Sequence, residues 1–164
     1  MRGMHNVLEK VKSLGLEIYI VTGSGQASLL DTLNHYFPHT FYKEKMVTAY
    51  DVKKGKPDPE PYLMALEKAG LQADEAIVVE NAPLGVRSAK GAGIFTIAVN
   101  TGILSDDDLW QAGADVVLPD MEALLEMFSR LVVYSMLCIS WILVRGECRN
   151  HVYMGYAEPM PKIM

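Results

Sequence analysis

Apolar residues along this chain switch repeatedly between helical and strand spacing, and the order of those switches predicts the architecture. Val7, Leu8, Val11 and Leu14 fall on one helical face, which predicts a helix over residues 6–14 with Gly15 just beyond its end. Residues 16–21 (Leu-Glu-Ile-Tyr-Ile-Val) are β-branched and aromatic and predict a strand. A Gly-rich turn, Thr22-Gly23-Ser24-Gly25, follows. Leu29, Leu30, Leu33 and Phe37 then predict a helix over residues 26–37, stopped by Pro38. Residues 46–50 read as a short strand, and 51–59 as a polar Gly/Pro loop. Pro61 suits the first turn of a helix over Glu60–Ala69, where its missing N–H costs little, and Gly70 closes that helix.

The second half repeats the alternation. Ala76-Ile77-Val78-Val79 is a continuous apolar run, the kind buried on both faces of a parallel sheet. A loop over 80–83, a helix over 84–92 and a second apolar strand over 94–99 come next. A short helix, Asp106–Gln111, a strand over 115–118 and a helix over 121–131 complete the pattern. Strand and helix alternating in this way predict an α/β fold: a Rossmann-like, three-layer parallel sheet with helices on both faces and right-handed crossovers. Ligands of such sheets bind beyond the carboxyl ends of the strands. Thr22, Glu80-Asn81 and Asn100-Thr101-Gly102 all fall just past predicted strand ends, so the topology gathers them on one rim.

After residue 131 the pattern breaks down. Residues 131–144 form an apolar run interrupted only by Ser135 and Ser140. It is shorter than the ~20 residues of a membrane span, which argues against a membrane role. Residues 1–131 are therefore expected to form the domain. Residues 132–164 are expected to be an atypical tail, unrelated to the domain or out of frame. With 164 residues, half of them hydrophobic, the chain can bury a core. A formal charge of −5 without a basic stripe argues against nucleic acid. The two cysteines, Cys138 and Cys148, have neither a CxxC partner nor a His at zinc spacing. Reduced thiols and an N-terminus without an apolar leader lead us to expect a cytoplasmic location.

Three polar groups at the predicted rim carry chemistry. Thr22 offers a hydroxyl, and the Thr22-Gly23-Ser24-Gly25 turn offers backbone N–H groups for a phosphate; a helix cap is the plainer reading. Lys56 lies between Gly55, Pro57 and Pro59, whose restricted backbone suits a fixed point charge against a phosphoryl group; Lys53 and Lys54 look merely solvated. Glu80, at the mouth of a buried strand, needs a cationic partner or a metal. With the Asn81 carbonyl it could bind Mg²⁺; the plainer reading pairs it with Lys56 or Lys90. Asp106-Asp107-Asp108 sits where acids complement a helix dipole. His5, His35, His39 and His151 show no ligand spacing.

Taken in order, the stretches Ile20-Val21-Thr22-Gly23-Ser24, Gly55-Lys56-Pro57-Asp58-Pro59-Glu60-Pro61-Tyr62 and Ile77-Val78-Val79-Glu80-Asn81-Ala82-Pro83-Leu84-Gly85-Val86 resemble the haloacid dehalogenase-like hydrolases. The likeness is to the β-phosphoglucomutase and phosphoglycolate-phosphatase-like branch. It implies Mg²⁺-dependent phosphatase or phosphomutase chemistry on small phosphorylated metabolites, sugar phosphates among them. It also implies that Thr22, with Gly23 and Ser24, binds the phosphoryl oxygens and that Lys56 stabilises phosphoryl group and nucleophile together. Glu80 and Asn81 fall on the family's acidic metal-binding pair, and the Lys56–Pro57 bond is expected to be cis.

The chain departs from the family pattern at two points. Asn81 stands where the family usually has Asp, removing a charge from the metal site. No Asp-x-Asp nucleophile segment, and no cap domain after it, lies ahead of Thr22. The strands ending at Val21 and Val79 are expected to lose the neighbour they share in the family. Either the core is incomplete in this chain, or the chain is a non-catalytic phosphate-binding or interaction module derived from that core. A further expectation places residues 132–144 in the vacant strand position.

Overall fold

The computed structural model describes residues 3–138. Its strands are all parallel, but they form two sheets, not one. The first pairs β1 (Ile20–Val21) with β2 (Met46–Val47). The second has the order β3 (Ile77–Glu80), β4 (Phe95–Val99), β5 (Val116–Leu118). Among the described residues no strand lies between β1 and β3, as expected from the missing shared neighbour.

Helices cover both faces. On one side α1 (Met4–Ser13) packs against α6 (Met121–Cys138), joining Val7, Met121, Leu124 and Phe128 to Ile97 and Val99 of β4. On the other, α3 (Glu60–Ala69) and α4 (Pro83–Gly91) enclose Tyr62, Val78, Ala89, Ala92 and Ile94. α5 (Asp106–Gln111) adds Leu109 against Val86 and Ala98. Ile97 and Val99 face one layer and Ala98 the other, as the period of two along β4 requires. α2 (Leu29–Tyr36) lies between β1 and β2 in sequence. α3 touches β1, β2 and α4, so one helix forms a wall common to both sheets.

Several elements differ from the sequence pattern for identifiable reasons. The strand expected over 16–21 shrinks to Ile20–Val21, because β1 pairs only with β2 and over only that register. The helix expected from residue 26 starts at Leu29. Before it, the Thr22 and Ser24 hydroxyl oxygens accept the N–H groups of Ser24 and Gln26 and hold the backbone in turns. β2 stops at Val47, because the Asp51 carboxylate takes both the N–H and the hydroxyl of Thr48. Val79, expected to be buried on a central strand, is 42% exposed on the unpaired edge of β3. The last helix continues beyond Leu131 to Cys138, so residues 132–138 are helical and do not fill the vacant strand position. Residues 139–144 lie outside the described residues.

Candidate active site

Lys56 links the ends of the two sheets. Its Nζ donates to the Val21 carbonyl at the end of β1, at 3.1 Å, and pairs with Glu80 Oε1 at the end of β3. The loop carrying Lys56 is held on both sides. Glu60 accepts the N–H groups of Lys53 and Lys54 at 2.7 and 2.9 Å, while the buried Ser88 of α4 donates to the Asp58 carbonyl at 2.5 Å. The Lys56–Pro57 peptide is cis, as expected. Of the partners that sequence left open for Glu80, Lys56 holds it; Lys90 instead pairs with Asp115 at 2.7 Å.

Thr22 follows the Val21 carbonyl directly. Its N–H donates to the Val47 carbonyl at 2.9 Å, which continues the β1–β2 ladder by one bond. Its hydroxyl oxygen accepts from the Ser24 N–H at 3.1 Å, so the hydroxyl proton is free to be donated to a ligand. Gly23 is exposed at the rim and Ser24 is half-buried beside it. The expected supply of N–H groups from a helix start is not met next to Thr22, because α2 begins at Leu29.

Asn81 is exposed beyond β3. Its N–H donates to Glu80 Oε2 at 3.1 Å, and its amide nitrogen donates to the Thr101 hydroxyl at 3.3 Å. That second bond leaves the amide oxygen available. Thr101 follows β4, so the ends of β1, β3 and β4 converge as the topology predicted. Glu80 and Asn81 thus carry hard oxygens, the donor type that Mg²⁺ takes while keeping several of its waters. Among the described residues no group of three or more His, Cys, Asp or Glu is placed to hold a metal. The acidic run in α5 has the ordinary role: Ser105 and Asp108 form a capping box, and Asp106 accepts from Asn100.

Two site residues escaped the sequence reading. The Tyr62 hydroxyl donates to Glu80 Oε1 at 2.7 Å, and the Lys56 Nζ lies 5.0 Å from the centroid of its ring. Burial, and then the Glu80 charge, push the Tyr62 phenol well above its usual value, so it is a settled proton donor. Gly85 lies beneath the Glu80 carboxylate, where a Cβ would overlap it. Tyr62 sits in the first turn of α3 on the same buried face as Ala65. A phenol at that place, six residues after Lys56, was the available signal.

A family model described as "Haloacid dehalogenase-like hydrolase" matches residues 1–99. A phosphorylated carbohydrates phosphatase from Thermotoga maritima is 34% identical over 123 residues, covering 74% of this chain and 56% of that protein. Hexitol phosphatase A from Escherichia coli is 51% identical over 57 residues, 35% of this chain and 26% of its own. A solved structure of a candidate β-phosphoglucomutase from Bacteroides vulgatus matches with a TM-score of 0.76 and 53% identity. That match covers 81% of this chain and 54% of the other. The chain therefore spans about half the length of relatives that match most of it.

Proposed function

The chain belongs to the haloacid dehalogenase-like hydrolases, and on that premise we propose that it is the phosphoryl-handling core of an Mg²⁺-dependent phosphatase or phosphomutase. Small phosphorylated metabolites, sugar phosphates foremost, are its substrates, in line with the carbohydrate and hexitol phosphatases among its relatives. The observation that carries this reading is Lys56, held between the Val21 carbonyl and Glu80 with Thr22 alongside. A fixed cation and a free hydroxyl proton at converging strand ends match the charge that develops on a transferring phosphoryl group.

In this proposal residues 1–131 form the core, and the chain works in the cytoplasm. Thr22, Gly23 and Ser24 bind phosphoryl oxygens, and Lys56 neutralises their charge. Glu80 and Asn81 supply two of the oxygens around Mg²⁺, which when bound would stabilise negative charge on the phosphoryl group. Asn81 makes that site one charge poorer than a pair of acids would. No Asp-x-Asp segment lies ahead of Thr22 in residues 1–164, so the aspartyl nucleophile of family chemistry is not among the residues named here.

Inorganic phosphate titrated into the purified chain with Mg²⁺ should shift the NMR signals of Thr22, Gly23, Ser24 and Lys56. An unresponsive rim would refute the reading. In a complete relative, replacing the matching lysine by Ala should cost about 10²-fold in turnover of an aryl phosphate, the scale of losing one preorganised charge-stabilising group.

A further inference from the structure

Glu80 is held from several directions. Its Oε1 receives both the Tyr62 hydroxyl, at 2.7 Å, and the Lys56 ammonium. Its Oε2 accepts the Asn81 N–H at 3.1 Å. Gly85, in the first turn of α4, leaves the space that the carboxylate occupies. The Tyr62 ring lies under the Lys56 ammonium and packs with Val78, Ala89, Ala92 and Ile94.

Packing alone accounts for the ring but not for the hydroxyl. A Phe would fill the same volume in that cluster. A lysine on a four-carbon stem has many conformations available, and a pair made only of Lys and Glu side chains would sample them. A rigid phenol, fixed by the helix on which it stands, removes that freedom from the carboxylate and, through it, from the lysine.

We propose that Tyr62 is a positioning residue: its hydroxyl fixes Glu80, and Glu80 together with the Tyr62 ring fixes Lys56 at the end of β1. The functional consequence rests on the phosphoryl-site reading above; the arrangement itself does not.

The test uses the unliganded chain with labelled lysine and tyrosine, compared as wild type, Tyr62→Phe and Glu80→Gln. In Tyr62→Phe the ring remains, and the Lys56 ε-CH₂ signal should move toward its position in Glu80→Gln while the melting temperature stays close to wild type. A Lys56 signal that does not move would overturn the proposal. Glu80→Gln leaves Tyr62 untouched and covers the case in which Tyr62→Phe does not fold. The wild type should show a protected, downfield Tyr62 hydroxyl proton that Glu80→Gln releases, and persistence of that proton would also overturn it. Where the wild type binds inorganic phosphate, Tyr62→Phe should weaken binding about tenfold, the scale for losing a group that orients a binding residue; equal affinity would refute the positioning role. A wild type that ignores phosphate and Mg²⁺ counts against the phosphoryl site, and the Lys56 and Tyr62 signals still decide the arrangement.

Discussion

Gly85 illustrates how little room separates α4 from the Glu80 carboxylate. Its backbone is helical and needs no glycine for its dihedrals, so only space is at stake. Gly85→Ala should destabilise the fold by about 1–3 kcal/mol, the range for forcing a methyl into filled space. Gly55→Ala, with nothing near the added methyl, should stay within about 0.5 kcal/mol. Urea midpoints of the two variants make the comparison, and equal midpoints would contradict the seat described for Glu80. Thr22, Lys56 and Glu80 were legible in the sequence because each is a polar residue bordering an apolar run or a braced loop. Tyr62 and Gly85 were not, because their roles arise only when α3 and α4 close over the end of β3. Read along the chain, one is a helical aromatic and the other a helical glycine.

The helices over Glu60–Ala69 and Asp106–Gln111 were legible to the residue; Pro61 and Gly70 mark the ends of the first locally, and the structure opens the second on a Ser105–Asp108 capping box. Strand lengths were less legible, since a strand extends only as far as its partner does. β2 ends where the Asp51 carboxylate takes the Thr48 hydroxyl and N–H, both at 2.7 Å. Those bonds, the hydroxyl first, hold the Asp51 carboxyl below its ordinary value of 3.8. A depressed folded value means stability that is present above the unfolded pKa and is lost as pH falls through the folded one. Asp51→Asn should therefore melt below wild type at neutral pH, and the two should converge in acid below about 3.8. A gap that persists unchanged at low pH would exclude the carboxylate as its cause.

The α/β class and the parallel order were legible because alternating periods leave few other topologies. The missing strand between β1 and β3 was also legible, through what the resemblance leads one to expect before Thr22; that the remaining strands divide into two sheets was not. The division should show in hydrogen exchange. Amides of β4, bonded between β3 and β5 and buried from Thr96 to Val99, should exchange slowest. Those of β1 and β2, a two-residue pair, should exchange orders of magnitude faster, because opening them disturbs few neighbours. Equal protection across both sheets would mean that they open as one unit.

The unpaired edge of β3 has a consequence for how copies of this chain meet. In an open sheet the outermost strands are commonly blunted by charge, proline or a covering loop. β3 has the composition of an interior strand, Ile-Val-Val, yet among the described residues it ends a sheet, with Val79 exposed. At its carboxyl end the Lys56–Glu80 pair carries charge. At high concentration such an edge is a template for another chain's strand. Handling the protein dilute, or with a charged residue in place of Val79, guards against growth of edge-to-edge aggregates.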